Sequence, residues 1–554
     1  MSVLDWVVLG ASLIGIVLYG LWRGRGSDTT DKYLLAGRTM PWYAMALSIM
    51  ATQASAITFI STTGQAYVDG MRFVQFYFGL PLAMIVLSMT AVPIFHRSGV
   101  YTAYEYLERR FDAKTRALVS LIFLIQRGLA VGVALYAPAV VLTVILGWPN
   151  ETTTMIMGLL VICYTVAGGI QAVTWTDVQQ MMIMMMGILV ALFMAIYLLP
   201  GDISLGDALT IAGAANKLNP VVLEWDLNDR YNVWSGLLGG MFLALAYFGT
   251  DQSQVQRYLT GKSVNESRLS LLFNAVAKIP MQFLILFTGA MVFVFYTFEK
   301  PPLLFESKTL AQIESSTDYR ELARRYDGAF AERREAALRL AESEDTAALA
   351  VYQRAQAEME AARREGAELA ARTTAQPDFN DTNYVFLSFV TRYLPSGVVG
   401  LIMAAVFAAA MSTVSAELNS LATVSVVDVY RRHVRKDAAD RHYLIASRFA
   451  TAFWGIYAVA TAQFGASLGS LIEAVNRLGS LFYGGMLGVF ALAFFFPRVT
   501  ANGAFFGALA GEAAIFATAG FTEVTFLWFN VIGCIVVISS GLLISSLSTR
   551  RPSP

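Results

Sequence analysis

The sequence predicts an all-α polytopic membrane protein, and three observations carry that prediction. The 554 residues are 56% hydrophobic and only 14% charged, whereas about a quarter of a soluble chain is charged. Mean hydropathy is +0.55. Apolar windows of about 20 residues, the length that crosses a hydrocarbon core, recur along nearly the whole chain. This composition excludes an ordinary water-soluble multidomain enzyme. Forty basic and 40 acidic residues cancel, so no global field points to nucleic acid as a partner. With three His and two Cys in the chain, and Cys163 and Cys534 lying far apart in apolar runs, a zinc or disulfide framework is excluded.

Windows of that length give about 13 transmembrane helices, near 3–22, 42–66, 72–96, 116–147, 152–173, 177–200, 233–256, 268–298, 390–427, 443–464, 471–496, 503–521 and 524–547. The first lacks a basic start and a small-residue cleavage site, and Asp5 precedes its apolar run, so it reads as a retained span rather than a signal peptide. Windows 116–147 and 390–427 exceed one untilted helix, and each reads as a long tilted helix with an extramembrane end.

Sidedness follows from the positive-inside rule. Loops after odd-numbered spans carry Arg23, Arg25, Lys32 and Arg38; Arg97, Arg109, Arg110, Lys114 and Arg116; Arg257, Lys262 and Arg268; Arg431, Arg432, Arg435, Lys436 and Arg441; and Arg498, Arg550 and Arg551. The short loops after even-numbered spans offer Arg72, Lys217 and Arg230. This places the N-terminus outside and the C-terminus in the cytoplasm. Between about 305 and 375 the chain turns to Ala, Glu and Arg, a composition that favours long helix. Gly328, Gly366 and Pro377 punctuate the segment. It reads as an external helical hairpin, a solvated spacer first and a lid or a contact for another subunit or partner second.

Ionisable groups inside a bilayer cost at least a few kcal/mol each and call for an explanation. Arg127, Asp177, Asp251, Lys278 and Glu417 fall within spans, and Glu473, Asn476 and Arg477 share one turn of span eleven. Internal salt bridges or interfacial anchoring account most simply for Arg127, Asp251 and Arg477. Asp177 leans the other way. In span two, Ala51, Thr52, Gln53, Ala54, Ser55 and Thr58 interrupt an apolar helix with small and polar side chains, so a break there would expose carbonyls to a hard cation such as Na⁺. In span nine, Ser412, Thr413 and Ser415 cluster around one turn. Such hydroxyls also commonly bond back to their own helix or to a neighbour. No GxxxxGK[ST] phosphate loop occurs. His96, His433 and His442 all sit at the cytoplasmic edge, and no Gly-x-Ser-x-Gly elbow is present, so neither ATP-driven nor hydrolytic chemistry has a basis.

The strings KYLLAGRTMPWYAMALSIMATQASAITFIS (32–61), VYTAYEYLERRFD (100–112), LYAPAVVL (135–142), YTVAGGIQAVTWTDVQQ (164–180), VQRYLTGKSVNESR (255–268) and GLIMAAVFAAAMSTVSAELNSLATVSVVDVYRR (400–432) resemble, in order, the motifs of the sodium/solute symporter family, whose members carry glucose, sialic acid, monocarboxylates, vitamins or iodide. The resemblance implies a LeuT-type fold of two inverted five-helix repeats with sites at broken helices. The repeats would occupy 42–200, and 233–304 with 381–496. Residues 1–41 would be a peripheral span and linker, 201–232 an external loop, 305–380 the charged insertion and 497–554 two peripheral spans.

The same resemblance implies a sodium site at Ala51, Ala54, Ala409, Ser412 and Thr413, with Ser-Thr in place of the Ser-Ser of several relatives. A second site would use Asp177, Ser412 and Ser415, although Ala416 replaces a serine found in some two-sodium members. It implies a substrate pocket at Ser55, Thr58, Phe76, Tyr77, Ala244, Tyr247, Lys278 and Asn476, in which Tyr77 and Ala244 depart from the sugar carriers. Arg127 lies about one turn from the position at which sialic-acid carriers hold the carboxylate.

The function so implied is sodium-coupled secondary active symport of a small polar solute (a sugar, a polyol or a small organic anion) by alternating access. No cofactor is expected beyond Na⁺ as coupling ion, and the expected location is a cell membrane, in the first instance a bacterial inner membrane. The rival reading is a solute sensor built on the symporter body, with only the external hairpin or the 428–442 loop available for a partner.

Overall fold

The computed structural model describes residues 1–146, 149–342, 346–376, 379–463 and 471–549. In chain order its α-helices are α1 (Val3–Arg23), α2 (Thr30–Leu35), α3 (Trp42–Gln53), α4 (Ala56–Asp69), α5 (Leu80–Met89), α6 (Ala91–Ser98), α7 (Ala103–Arg110), α8 (Ala113–Leu146), α9 (Asn150–Tyr197), α10 (Leu205–Ala214), α11 (Gly240–Thr250), α12 (Gln252–Leu259), α13 (Val264–Phe298), α14 (Ser307–Ile313), α15 (Thr317–Glu342), α16 (Thr346–Thr374), α17 (Thr382–Tyr393), α18 (Val398–Val424), α19 (Asp440–Ala462), α20 (Leu471–Phe495), α21 (Ala501–Phe521) and α22 (Phe526–Thr549). Among the described residues no strand accompanies them, as expected of a lipid-spanning chain whose backbone must satisfy its own hydrogen bonds.

Ten helical stretches among the described residues are long and apolar enough to cross a membrane. The shortfall from thirteen has identifiable causes. Window 42–66 is split where Ala54 (φ −85°, ψ 61°) and Ser55 (φ −67°, ψ 169°) leave helical geometry, which ends α3 and starts α4. Window 233–256 is split at Asp251, whose extended backbone (ψ 120°) separates α11 from α12. Windows 152–173 and 177–200 merge into α9, which turns within itself at Gly169 (φ 55°, ψ −154°). A Cβ at Gly169 would lie 2.3 Å from the Tyr33 carbonyl oxygen, so only glycine fits this elbow.

The two long windows diverge. Window 116–147 is one helix, α8. Window 390–427 is two, because Leu394 is extended and Gly397 (φ 89°) stands between α17 and α18.

Helix α18 is the hub, buried along almost its whole length and packed against α1, α3, α8, α9, α12 and α19. At one end of the bundle the linkers bond to one another. Thr30 pairs with Asp440, Arg116 with Glu108 and Asp428, and Arg432 with Glu108. These are loops that the charge pattern assigns to one side. Arg257, counted with them in the sequence, is not a loop residue at all. It lies in α12, 1% exposed, because the polar run from Gln252 to Tyr258 is folded into the core.

At the opposite end α15 and α16 form the helical hairpin, packed around Leu322, Tyr326, Met359 and Ala362. Gly328 and Gly366 do not punctuate it but run inside α15 and α16; Pro377 lies outside the described residues. Three links root the hairpin. The Arg333 guanidinium donates to the Tyr296 carbonyl (2.6 Å), Arg363 pairs with Asp381 (2.9 Å), and Lys217 faces Glu360 (3.7 Å). The start of α1 is at this end too, where Asp5 accepts from the backbone N–H groups of Gly397 and Gly400.

Candidate cation and solute site

The α3/α4 break and α11 line a cavity of about 130 Å³. All eight residues expected in a solute pocket line it: Ser55, Thr58, Phe76, Tyr77, Ala244, Tyr247, Lys278 and Asn476. Aromatic rings form much of its wall, with Phe76 and Tyr77 edge to face at 4.9 Å. Tyr247 is fixed from below, where the Gln254 amide donates to its hydroxyl at 2.7 Å. Lys278 enters from α13. It is fully buried, its Nζ stands 5.3 Å from the centre of the Tyr77 ring, and no hydrogen-bond partner meets it among the described residues.

The cation candidates divide into two groups. The Thr413 hydroxyl lies against the break, donating to the carbonyls of Thr52 (3.1 Å) and Ala409 (3.2 Å). Ala51 and Ala54, both buried, flank these groups on α3. A hydroxyl from α18 thus meets the Thr52 main-chain oxygen at the end of an interrupted helix, a donor type suited to a small hard cation. The Ser412 hydroxyl, one residue before, donates to Asp177 Oδ1 at 2.6 Å, which leaves its oxygen lone pairs available. Ser415 bonds back to the Ser412 carbonyl at 3.0 Å.

Asp177 is already enclosed. Its Oδ2 accepts from Ser48 (2.5 Å) and from Arg257 Nη2 (3.1 Å), and Arg257 Nε reaches the Thr52 hydroxyl at 2.8 Å. Both charges of this pair are buried. Sequence reasoning missed Arg257 because it read the residue as a loop charge. The available signal was the polar run 251–257, too long for a tight loop and flanked by apolar helix.

On the wall of the same cavity, Arg127 on α8 forms a second buried hub. It donates to Glu417 (2.7 Å), to Tyr483 (2.5 Å) and to Asp251. Asp251 in turn accepts from the Tyr483 hydroxyl (2.8 Å) and caps α12 through the Ser253 N–H (2.8 Å). Arg127 and Asp251 thus fill the internal salt bridge expected of them. Glu473 pairs with Arg230 at 2.6 Å, while Arg477 is exposed.

The profile of the sodium:solute symporter family matches residues 33–302 and 362–511, most of the chain, with a gap that falls on the hairpin. The chain belongs to that family. It is accordingly a sodium-coupled symporter of the membrane, with Na⁺ as its coupling ion, and a transporter rather than an enzyme. The sodium/sialic acid symporter NanT of Aliivibrio fischeri is 26% identical to it, over 98% of this chain and 92% of that one. The sodium/glucose cotransporter of Vibrio parahaemolyticus is 27% identical over 92% and 84%. Sodium-coupled monocarboxylate transporter 1 of Xenopus laevis is 25% identical over 92% and 71%. The symporter also shares its fold with a solved Na⁺-coupled sialic acid symporter in its substrate-bound, outward-open state, at a TM-score of 0.77 and 24% identity, over 99% of this chain and 98% of that one.

Proposed function

We propose that this symporter couples one Na⁺, moving down its gradient, to the inward movement of a small polar solute by alternating access between two inverted repeats. The observation that carries the reading is the meeting of Thr413 with main-chain oxygens at the α3/α4 break, on the wall of the same cavity that Ser55, Thr58, Phe76, Tyr77, Ala244, Tyr247, Lys278 and Asn476 line. In this reading Na⁺ is held by carbonyls of Ala51, Ala54 and Ala409 and by the hydroxyls of Ser412 and Thr413. Binding pulls α18 against the broken helix and favours one state over the other, as coupling requires. The repeats are 42–200, and 233–304 with 381–496; their first helices, α3/α4 and α11/α12, are both broken, which supports the inverted relation. The end bearing the hairpin and the start of α1 is external, and the end bearing Glu108, Arg116 and Arg432 cytoplasmic. Bacterial relatives support a bacterial inner membrane.

A second Na⁺ at Asp177, Ser412 and Ser415 would compete with a charge the protein already supplies. Arg257 neutralises Asp177, and we take its guanidinium to stand where a second ion would otherwise sit.

The test replaces Ser412 and Thr413 together by Ala in the full chain reconstituted in vesicles. Sodium-driven uptake is expected to disappear, together with the rise in melting temperature that Na⁺ and solute give the purified protein. Uptake that still follows the sodium gradient would overturn the assignment. Accumulation against a gradient separates a symporter from a sensor, which need move nothing.

A further inference from the structure

We infer that the solute carries a carboxylate and that Lys278 is its counter-charge. The inference deepens the symport reading above and rests on it. Four side chains of formal charge meet here: Arg127, Lys278 and Glu417 line the cavity, and Asp251 adjoins them through Arg127. Three of them are joined to one another through the Arg127 guanidinium. Lys278 stands apart: among the described residues its ammonium has no hydrogen-bond partner and meets the face of the Tyr77 ring at 5.3 Å. A buried ammonium that neither bonds nor pairs is costly, and Lys278 is one of the residues that line the cavity.

Charge balance leads to the same solute. The four side chains cancel in total, and Asp177 with Arg257 cancels as well. A single Na⁺ at the α3/α4 break therefore leaves one positive formal charge among buried groups, where uncompensated charge is expensive. A monoanionic solute removes it; a neutral sugar or polyol does not. The remaining wall fits a compact body behind a carboxylate. Phe76, Tyr77 and Tyr247 supply apolar faces, and Thr58 and Asn476 supply hydrogen-bonding groups for a hydroxyl or keto oxygen. Glu417 Oε2 also lines this space without a partner among the described residues. It offers a place for an α-ammonium, so a carboxylate from a hydroxy or keto acid and one from an amino acid are separate arms of the test.

The experiment measures sodium-driven accumulation by full-length protein in vesicles for matched sets: acetate, propionate, lactate and pyruvate; lactamide and glycerol as neutral counterparts; galactose; and alanine. The carboxylates are expected to accumulate and the neutral counterparts not. Lys278→Met is expected to lower carboxylate uptake, by rate over KM, by a factor of roughly 10–100, the worth of one charge-assisted contact. Lys278→Arg should retain much of it. A sodium-dependent melting shift in both variants would establish that the fold and the cation site survive.

Accumulation of alanine together with the simple acids keeps the carboxylate and assigns the ammonium to Glu417. Sodium-driven accumulation of galactose or glycerol overturns the inference and leaves symport standing. So does carboxylate uptake unchanged in Lys278→Met. Failure of every solute, with no sodium-dependent melting shift in the native protein, removes the symport reading itself and the inference with it.

Discussion

At the scale of single residues, burial and charge set what each group must do. Arg127 was legible in the sequence as half of an internal ion pair, because an arginine within a span needs a partner. Its partners were not legible: Asp251 and Glu417 lie 124 and 290 positions away, and only packing brings them together. Asp251 has two duties, one oxygen capping α12 and the other receiving Arg127 and Tyr483. Asp251→Ala should therefore cost about 3–5 kcal/mol for the orphaned charge plus about 1 kcal/mol for the cap. Tyr483→Phe, which removes a hydroxyl only, should cost about 1 kcal/mol. Denaturant unfolding of the purified variants measures both, and equal losses would contradict the ranking.

At the scale of elements, the hydrophobic windows located most helices, and what they missed has a common physical origin. A window averages over its length, so it reads through Ala54, Gly169, Asp251 and Gly397, single residues where the backbone leaves helical geometry. The polar interruption around Ala54 was visible; Asp251 looked like an isolated charge, and Gly169 like an ordinary turn between spans. Glu108 illustrates the contacts between elements at the end of the bundle opposite the hairpin. Burial would raise its carboxyl, but hydrogen bonds and charge from Arg432 and Arg116 outweigh this and hold it below the ordinary 4.5. A carboxylate lowered on folding stabilises the folded protein above its unfolded value, and that stability is lost as pH falls from about 4.5 through the lowered value. The difference in melting temperature between the native protein and Glu108→Gln should accordingly be largest near neutrality and shrink below that point. A difference independent of pH would show that the carboxylate charge contributes nothing.

At the scale of the whole molecule, membrane class and family were legible from composition and ordered motifs, and so was the hairpin, from its shift to Ala, Glu and Arg. The occupancy of Asp177 was not, since it depends on α12 folding inward beside α3 and α9. If Arg257 takes the place of a second ion, the ratio of sodium to solute flux, measured as isotopes in the same vesicles, should be one. A ratio of two would return Asp177, Ser412 and Ser415 to the role of ion ligands.

The elbow at Gly169 has a consequence of its own. The two halves of α9 share one residue in place of a loop, and that residue is packed against the carbonyl of Tyr33 in the linker behind α1. Asp177 lies eight residues further along the same helix, about 12 Å at 1.5 Å per residue. The linker, the elbow and the Arg257 pair are therefore joined along one helix. Any side chain larger than hydrogen at position 169 would have to push the linker away, at a point far from the cavity but on the helix that carries Asp177.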